Sequence, residues 1–183
     1  GNILVTADGL LRLVDYDGMF APPLRGQGCP ELGHLNYQHP QRQANNYDEG
    51  LDNFSALVIY LSLRGLAADA SLWQQFHNEE NLLFTADDYR NPAQSGVLQK
   101  LQRSPDEQVK YLAQQLADSC RNSMAQANDL ETILQKAPSA RMPTAVMPRV
   151  QPPIPQSPPV SRQTIPGQTQ AQSTAQPWWQ TST

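Results

Sequence analysis

The chain has 183 residues, with 13 Lys and Arg against 17 Asp and Glu and a hydrophobic share of 39%. That is long enough for one ordinary domain plus extra, and lean enough in apolar residues to expect part of it not to pack. All 17 acidic residues lie within positions 1–136 beside 10 Lys and Arg, and a mildly acidic body argues against nucleic acid as a partner. No apolar run approaches the ~20 residues that would span a membrane. Cys29 and Cys120 are too far apart in sequence to suggest a disulfide framework, and they fit a reducing, cytoplasmic setting.

In chain order, Ile3–Val5 and Leu10–Val14 are short apolar runs joined by Thr6-Ala7-Asp8-Gly9. Asp-Gly between two such runs predicts a β-hairpin. Ile3-Leu4-Val5 reads as a buried strand, an odd opening for a domain, so the chain is expected to be a fragment. Gly18 and Ala21-Pro22-Pro23 end the regular structure, and an irregular stretch runs to about Tyr47. A loop that long inside a domain is usually functional.

From Leu51 the spacing of Phe54, Leu57, Val58, Ile59, Tyr60, Leu61 and Leu63 predicts a helix that is apolar almost all round and buried at the domain centre. Weaker helices are expected at about 70–78, 93–103, 105–121 and 128–136. Ser104-Pro105-Asp106-Glu107 supplies an N-cap, a first-turn Pro and two acids to the third of these. Its apolar positions Val109, Leu112, Ala113 and Leu116 keep the helical period. The fold class is therefore mainly α with one N-terminal β-hairpin.

Composition changes after Lys136. Ten of the 16 prolines fall in residues 137–183, among Gln, Ser and Thr and without one acid. Such a segment lacks the apolar surface to offset its ordering entropy, so a domain over 1–136 and a disordered tail over 137–183 are expected. Pro152-Pro153-Ile154-Pro155 and Pro155-Gln156-Ser157-Pro158 suit a polyproline-binding domain as partner, or a plain linker. Trp178-Trp179 is unusual in a linker and is read as either a docking anchor or the lip of a further module.

The residues that carry chemistry are Asn2, Asp15 and Asp52. A hairpin that opens on Asn2 and closes on Asp15 brings an amide oxygen and a carboxylate side by side. That pair suits Mg²⁺, a hard cation that takes a few protein oxygens plus substrate phosphates. Gly1-Asn2-Ile3-Leu4-Val5 resembles the end of the protein-kinase catalytic loop, and Leu13-Val14-Asp15-Tyr16-Asp17-Gly18 resembles the strand into the Asp-Phe-Gly motif. Gly33-His34-Leu35-Asn36-Tyr37-Gln38-His39-Pro40 resembles the end of the activation segment. Asp52-Asn53-Phe54-Ser55 resembles the start of the family's central buried helix, whose Asp braces the catalytic loop. The chain thus resembles the protein-kinase-like superfamily, in its bacterial serine/threonine kinase-like form, over about 55 residues.

The resemblance implies a partial protein-kinase-like C-lobe, cut from an α+β parent fold. It implies Asn2 and Asp15 as Mg²⁺ and ATP-binding residues, Asp52 as structural support, and a protein Ser/Thr hydroxyl as substrate. Asp17 stands where the family has Gly, and is read either as a second carboxylate near the metal or as a solvent-facing acid. Gln41 replaces the Glu of Ala-Pro-Glu. The catalytic Asp of the family would fall about five positions before Asn2, upstream of Gly1, so the fragment alone is expected to be inactive.

Two other readings remain. One is a pseudokinase-type interaction scaffold. The other is a haloacid-dehalogenase-type phosphatase, which Asp15-Tyr16-Asp17-Gly18 resembles, with Asp87-Asp88 as its late metal pair. Met19 replaces that family's Thr, and no later parallel strands are expected. Cys29, His34 and His39 are evenly spaced but lack a fourth zinc ligand.

Overall fold

The computed structural model describes residues 3–15, 18–29 and 31–140. Its core is helical. Helix α1 (Asn53–Ala68) buries Phe54, Leu57, Val58 and Leu61 against α5 (Glu107–Arg121), which buries Val109, Leu112, Ala113 and Leu116 in return. Those two sets recur at three- and four-residue intervals, so each forms one stripe on its helix. Four shorter helices close around the pair: α2 (Ser71–Phe76), α3 (Ala86–Arg90), α4 (Gly96–Gln102) and α6 (Leu130–Lys136). Gly65 lets α1 approach its neighbours, since a Cβ there would meet Leu101 Cδ2 at 2.9 Å.

Three expectations about the helices need correction. Helix α1 is apolar on one face rather than buried all round: Ile59 and Tyr60 are half-buried and Leu63 is exposed. Helix α5 starts two residues after Pro105, and its cap is Asp106, which accepts from the N–H groups of Gln108 and Val109. Ser104 instead accepts from the N–H of Asp106. Helix α3 was not expected at all. At five residues it is too short to display a period, and the Asp88 carboxylate defines its start by accepting from both the N–H and the hydroxyl of Thr85.

The hairpin is present as β1 (Ile3–Val5) and β2 (Leu11–Leu13), antiparallel, with Ile3 opposite Leu13 and Val5 opposite Leu11. Its turn takes three residues, Ala7 to Gly9. Gly9 N–H donates to Thr6 O and Thr6 N–H to Leu10 O, both at 2.9 Å, with Gly9 left-handed at φ +83°. This is a type I turn closed by a left-handed glycine. The strands are not buried as expected: Val5 is 69% and Leu11 70% exposed. A two-stranded ribbon has two faces, and among the described residues no layer covers either.

Between the ribbon and α1 the described residues are irregular, as expected, apart from 3-10 turns at Pro22–Leu24 and Leu35–Tyr37. Among the described residues no helix is long and apolar enough to cross a membrane. Beyond Ala140 the tail, including Trp178-Trp179 and the proline motifs, lies outside the described residues.

Candidate functional site

A cleft of about 280 Å³ lies where the ribbon meets the irregular loop and the start of α1. Ile3 and Leu13 give it an apolar side, and Asp15, Glu31, Arg42 and Asp52 bring charge to it. Asp15 and Asp52, 37 positions apart in the chain, therefore line one cavity.

Asp15 follows β2 by two residues and adopts φ +64°. Asp is one of the few residues that tolerates this left-handed conformation, and backbone held in it concentrates at functional sites. Asp52 directly precedes α1 with φ −98° and ψ 0°. Its carbonyl accepts the N–H of Ala56, while its exposed carboxylate makes no capping bond. Asn2 and Asp17 lie outside the described residues. Among the described residues no group of three or more His, Cys, Asp or Glu side chains is placed to hold a metal ion. Magnesium needs fewer: one or two protein oxygens suffice where substrate phosphates complete the shell, and a cleft-lining Asp15 fits that requirement.

The loop that walls the cleft is fastened to the helical body by buried polar groups that sequence reasoning missed. Asn36 is buried, with its side-chain oxygen accepting the N–H of Ala86 at 3.0 Å and its amide donating to Glu80 O at 3.4 Å. The Tyr89 hydroxyl donates to Asn36 O at 2.6 Å, and the Ser55 hydroxyl to Tyr37 O at 2.7 Å. Burial pushes the Tyr89 phenol well above its ordinary value, so it remains a donor.

His39 is the central fastening. Its Nδ1 accepts the N–H of Gln41 at 3.1 Å, which leaves Nε2–H to donate to Ser119 O at 3.0 Å. Its ring meets Phe54 edge-on at 5.1 Å, and Phe54 meets Tyr89 in the same way at 5.0 Å. Burial depresses the His39 pKa below the ordinary histidine value, partly offset by backbone bonds to Ser119 and Asn122. With both ring nitrogens engaged, His39 serves as a fastening for the loop. Asn36, His39 and Ser55 stand in the quoted motifs, but their anchoring role is not legible there, because an irregular loop carries no period and a buried polar anchor looks like any surface polar residue.

Other candidates are engaged in local structure, although Cys29 also lines the cleft. The Cys29 thiol donates to Glu31 O, and His34 Nδ1 accepts the N–H of Asn36. Asp87 pairs with Arg90 on the surface, and Asp88 accepts from Thr85 and from the Ser95 hydroxyl. Those two acids thus belong to the architecture of α3. The only sheet among the described residues is the antiparallel ribbon, which lacks the parallel strands a haloacid-dehalogenase fold requires.

Burial raises the Cys120 thiol to about 12, which leaves it inert in the core. No family model, no curated protein and no solved structure matches this chain.

Proposed function

We propose that this chain supplies the metal-holding ribbon, activation segment and helical subdomain of an ATP- and Mg²⁺-dependent protein kinase. In the full-length parent, the γ-phosphoryl group of ATP would pass to a Ser/Thr hydroxyl of a protein substrate. The observation that carries the reading is the meeting of Asp15 and Asp52 on one cleft: one carboxylate on a left-handed residue leaving the ribbon, the other at the entry to the buried helix. The order of ribbon, anchored loop and buried helix supports it as well.

In this reading Asn2 and Asp15 hold Mg²⁺. The ion, when bound, offsets the charge of the transferring phosphoryl group. Asp15 fixes its position through a constrained backbone. The loop up to Asn36 forms the substrate lip, held in place by the Asn36 and His39 bonds. Asp52 stands ready to accept backbone donors from the catalytic loop, as its free carboxylate at the helix entry allows.

Asp15→Asn in the full-length parent is expected to abolish Mg²⁺-dependent phosphoryl transfer to a protein substrate, measured by label transfer from γ-labelled ATP. Transfer at the wild-type rate would sink the metal assignment. The second reading, an interaction scaffold without catalysis, draws on the exposed apolar faces of the ribbon, which suit a protein partner. It expects no transfer in the wild type and no effect of Asp15→Asn on partner binding.

A further inference from the structure

The loop that walls the cleft, from Gly18 to the start of α1, contains neither Ser nor Thr; Thr6 and Ser55 are the nearest on either side. Its two tyrosines, Tyr37 and Tyr47, are both engaged. Tyr37 is half-buried against the helical core, and burial raises its phenol, partly offset by a backbone bond to Leu82. Tyr47 is 5% exposed, its hydroxyl donates to Met19 O at 2.8 Å, and its ring meets Phe20 edge-on at 5.4 Å. That bond clasps the two ends of the loop across 28 positions. Inside the clasp, Cys29 N–H donates to Ala44 O at 2.8 Å. Arg25 already pairs with Glu49.

We infer that this loop seats itself without being phosphorylated, with Tyr47 as its clasp. A regulatory phosphate orders a segment by giving a hydroxyl side chain new charge-assisted bonds to arginine. Here the loop has no Ser or Thr to accept the group, and its two phenols are occupied by backbone. The ordering that a phosphate would supply comes instead from hydrogen bonds already made. Tyr47 joins the ends, Cys29 and Ala44 close the middle, and Asn36 and His39 fix the loop to the helices. Calling the loop an activation segment rests on the kinase reading, whereas its seating does not.

The test is amide hydrogen exchange in the full-length parent, before and after phosphatase treatment, with phosphoryl transfer measured on the same samples. The amides of Cys29, Tyr37 and Gln41 donate to Ala44 O, His34 O and His39 Nδ1, and are expected to be protected equally in both samples. Protection lost on dephosphorylation, or a Cys29 amide that exchanges freely in both, overturns the inference. Tyr47→Phe keeps the ring and removes the donor. It is expected to speed exchange at Cys29 about fivefold while leaving the Leu112 and Leu116 amides of α5 unchanged. An unaltered Cys29 rate in that variant removes Tyr47 from the role of clasp. A loop protected in both samples without any transfer counts against the kinase reading and leaves the seating intact, so the two failures are distinct.

Discussion

The helical body from Asn53 to Lys136 and the segment from Ile3 to Leu51 use their apolar residues in opposite ways. In the body, Leu61, Leu98, Val109, Leu112 and Leu116 are withdrawn completely from solvent, and the buried polar groups Ser62, Asn81, Ser95 and Gln108 all find partners. In the ribbon, Ile3, Leu4, Val5, Leu10, Leu11 and Leu13 are all exposed. The body packs its apolar stripes together, while the ribbon keeps unspent apolar surface. The loop between them shows how the two are joined: a few polar side chains, Asn36 and His39 foremost, hold irregular backbone to the helices. Stability is therefore expected to concentrate in the body and recognition in the ribbon and cleft.

The sharpest way to break this contrast is a matched pair of truncations. Leu61→Ala in the body is expected to lower unfolding stability by about 2–5 kcal/mol. Leu11→Ala in the ribbon is expected to change it by no more than about 0.5 kcal/mol. Denaturant titration measures both, and equal costs would contradict the division.

Ion pairs offer a second, smaller contrast. The Arg64–Asp106 pair is largely enclosed, with side chains 13% and 10% exposed, and Asp106 also caps α5. Asp106→Ala is expected to cost roughly 3 kcal/mol, since it removes a cap and strands a partly buried charge. The Arg25–Glu49 pair of the loop is 61% exposed on each side, and Glu49→Ala is expected to leave the unfolding midpoint essentially unchanged.

The smallest expected effect reads the joint itself. His39 has its pKa lowered on folding by burial, so between that depressed value and the ordinary one of about 6.5 the unfolded chain binds more protons. Its contribution to stability is complete above the unfolded value and declines as pH falls below it. Protonation would also set an Nδ1–H against the N–H of Gln41. The unfolding midpoint is expected to drop from pH 7 to pH 5, and to drop less in His39→Gln. An unchanged slope in that variant would move the pH dependence to another group.

Much of the body was legible in sequence because helical burial leaves a period. The α5 stripe could be read directly from spacing and its opening acids from the sequence, while for α1 spacing showed the helix but not that a single face is buried. The ribbon was legible from Asp8-Gly9, since a left-handed position after a short turn favours glycine. The candidate site was legible only as separate residues, Asp15 on one motif and Asp52 on another.

What sequence determined by itself, then, was local: most of the helical segments though not α3, where the ribbon turns, and which acids stand at element ends. Tertiary structure alone decided that Asp15, Asp52 and Arg42 share a cleft, that the ribbon is exposed, and that Asn36 and His39 bind the loop to the helices. The physical reason is range. Periods and turn signals arise from neighbours a few residues apart, whereas His39 meets Ser119 across 80 residues and Asn36 meets Ala86 across 50. No local pattern encodes contacts of that separation.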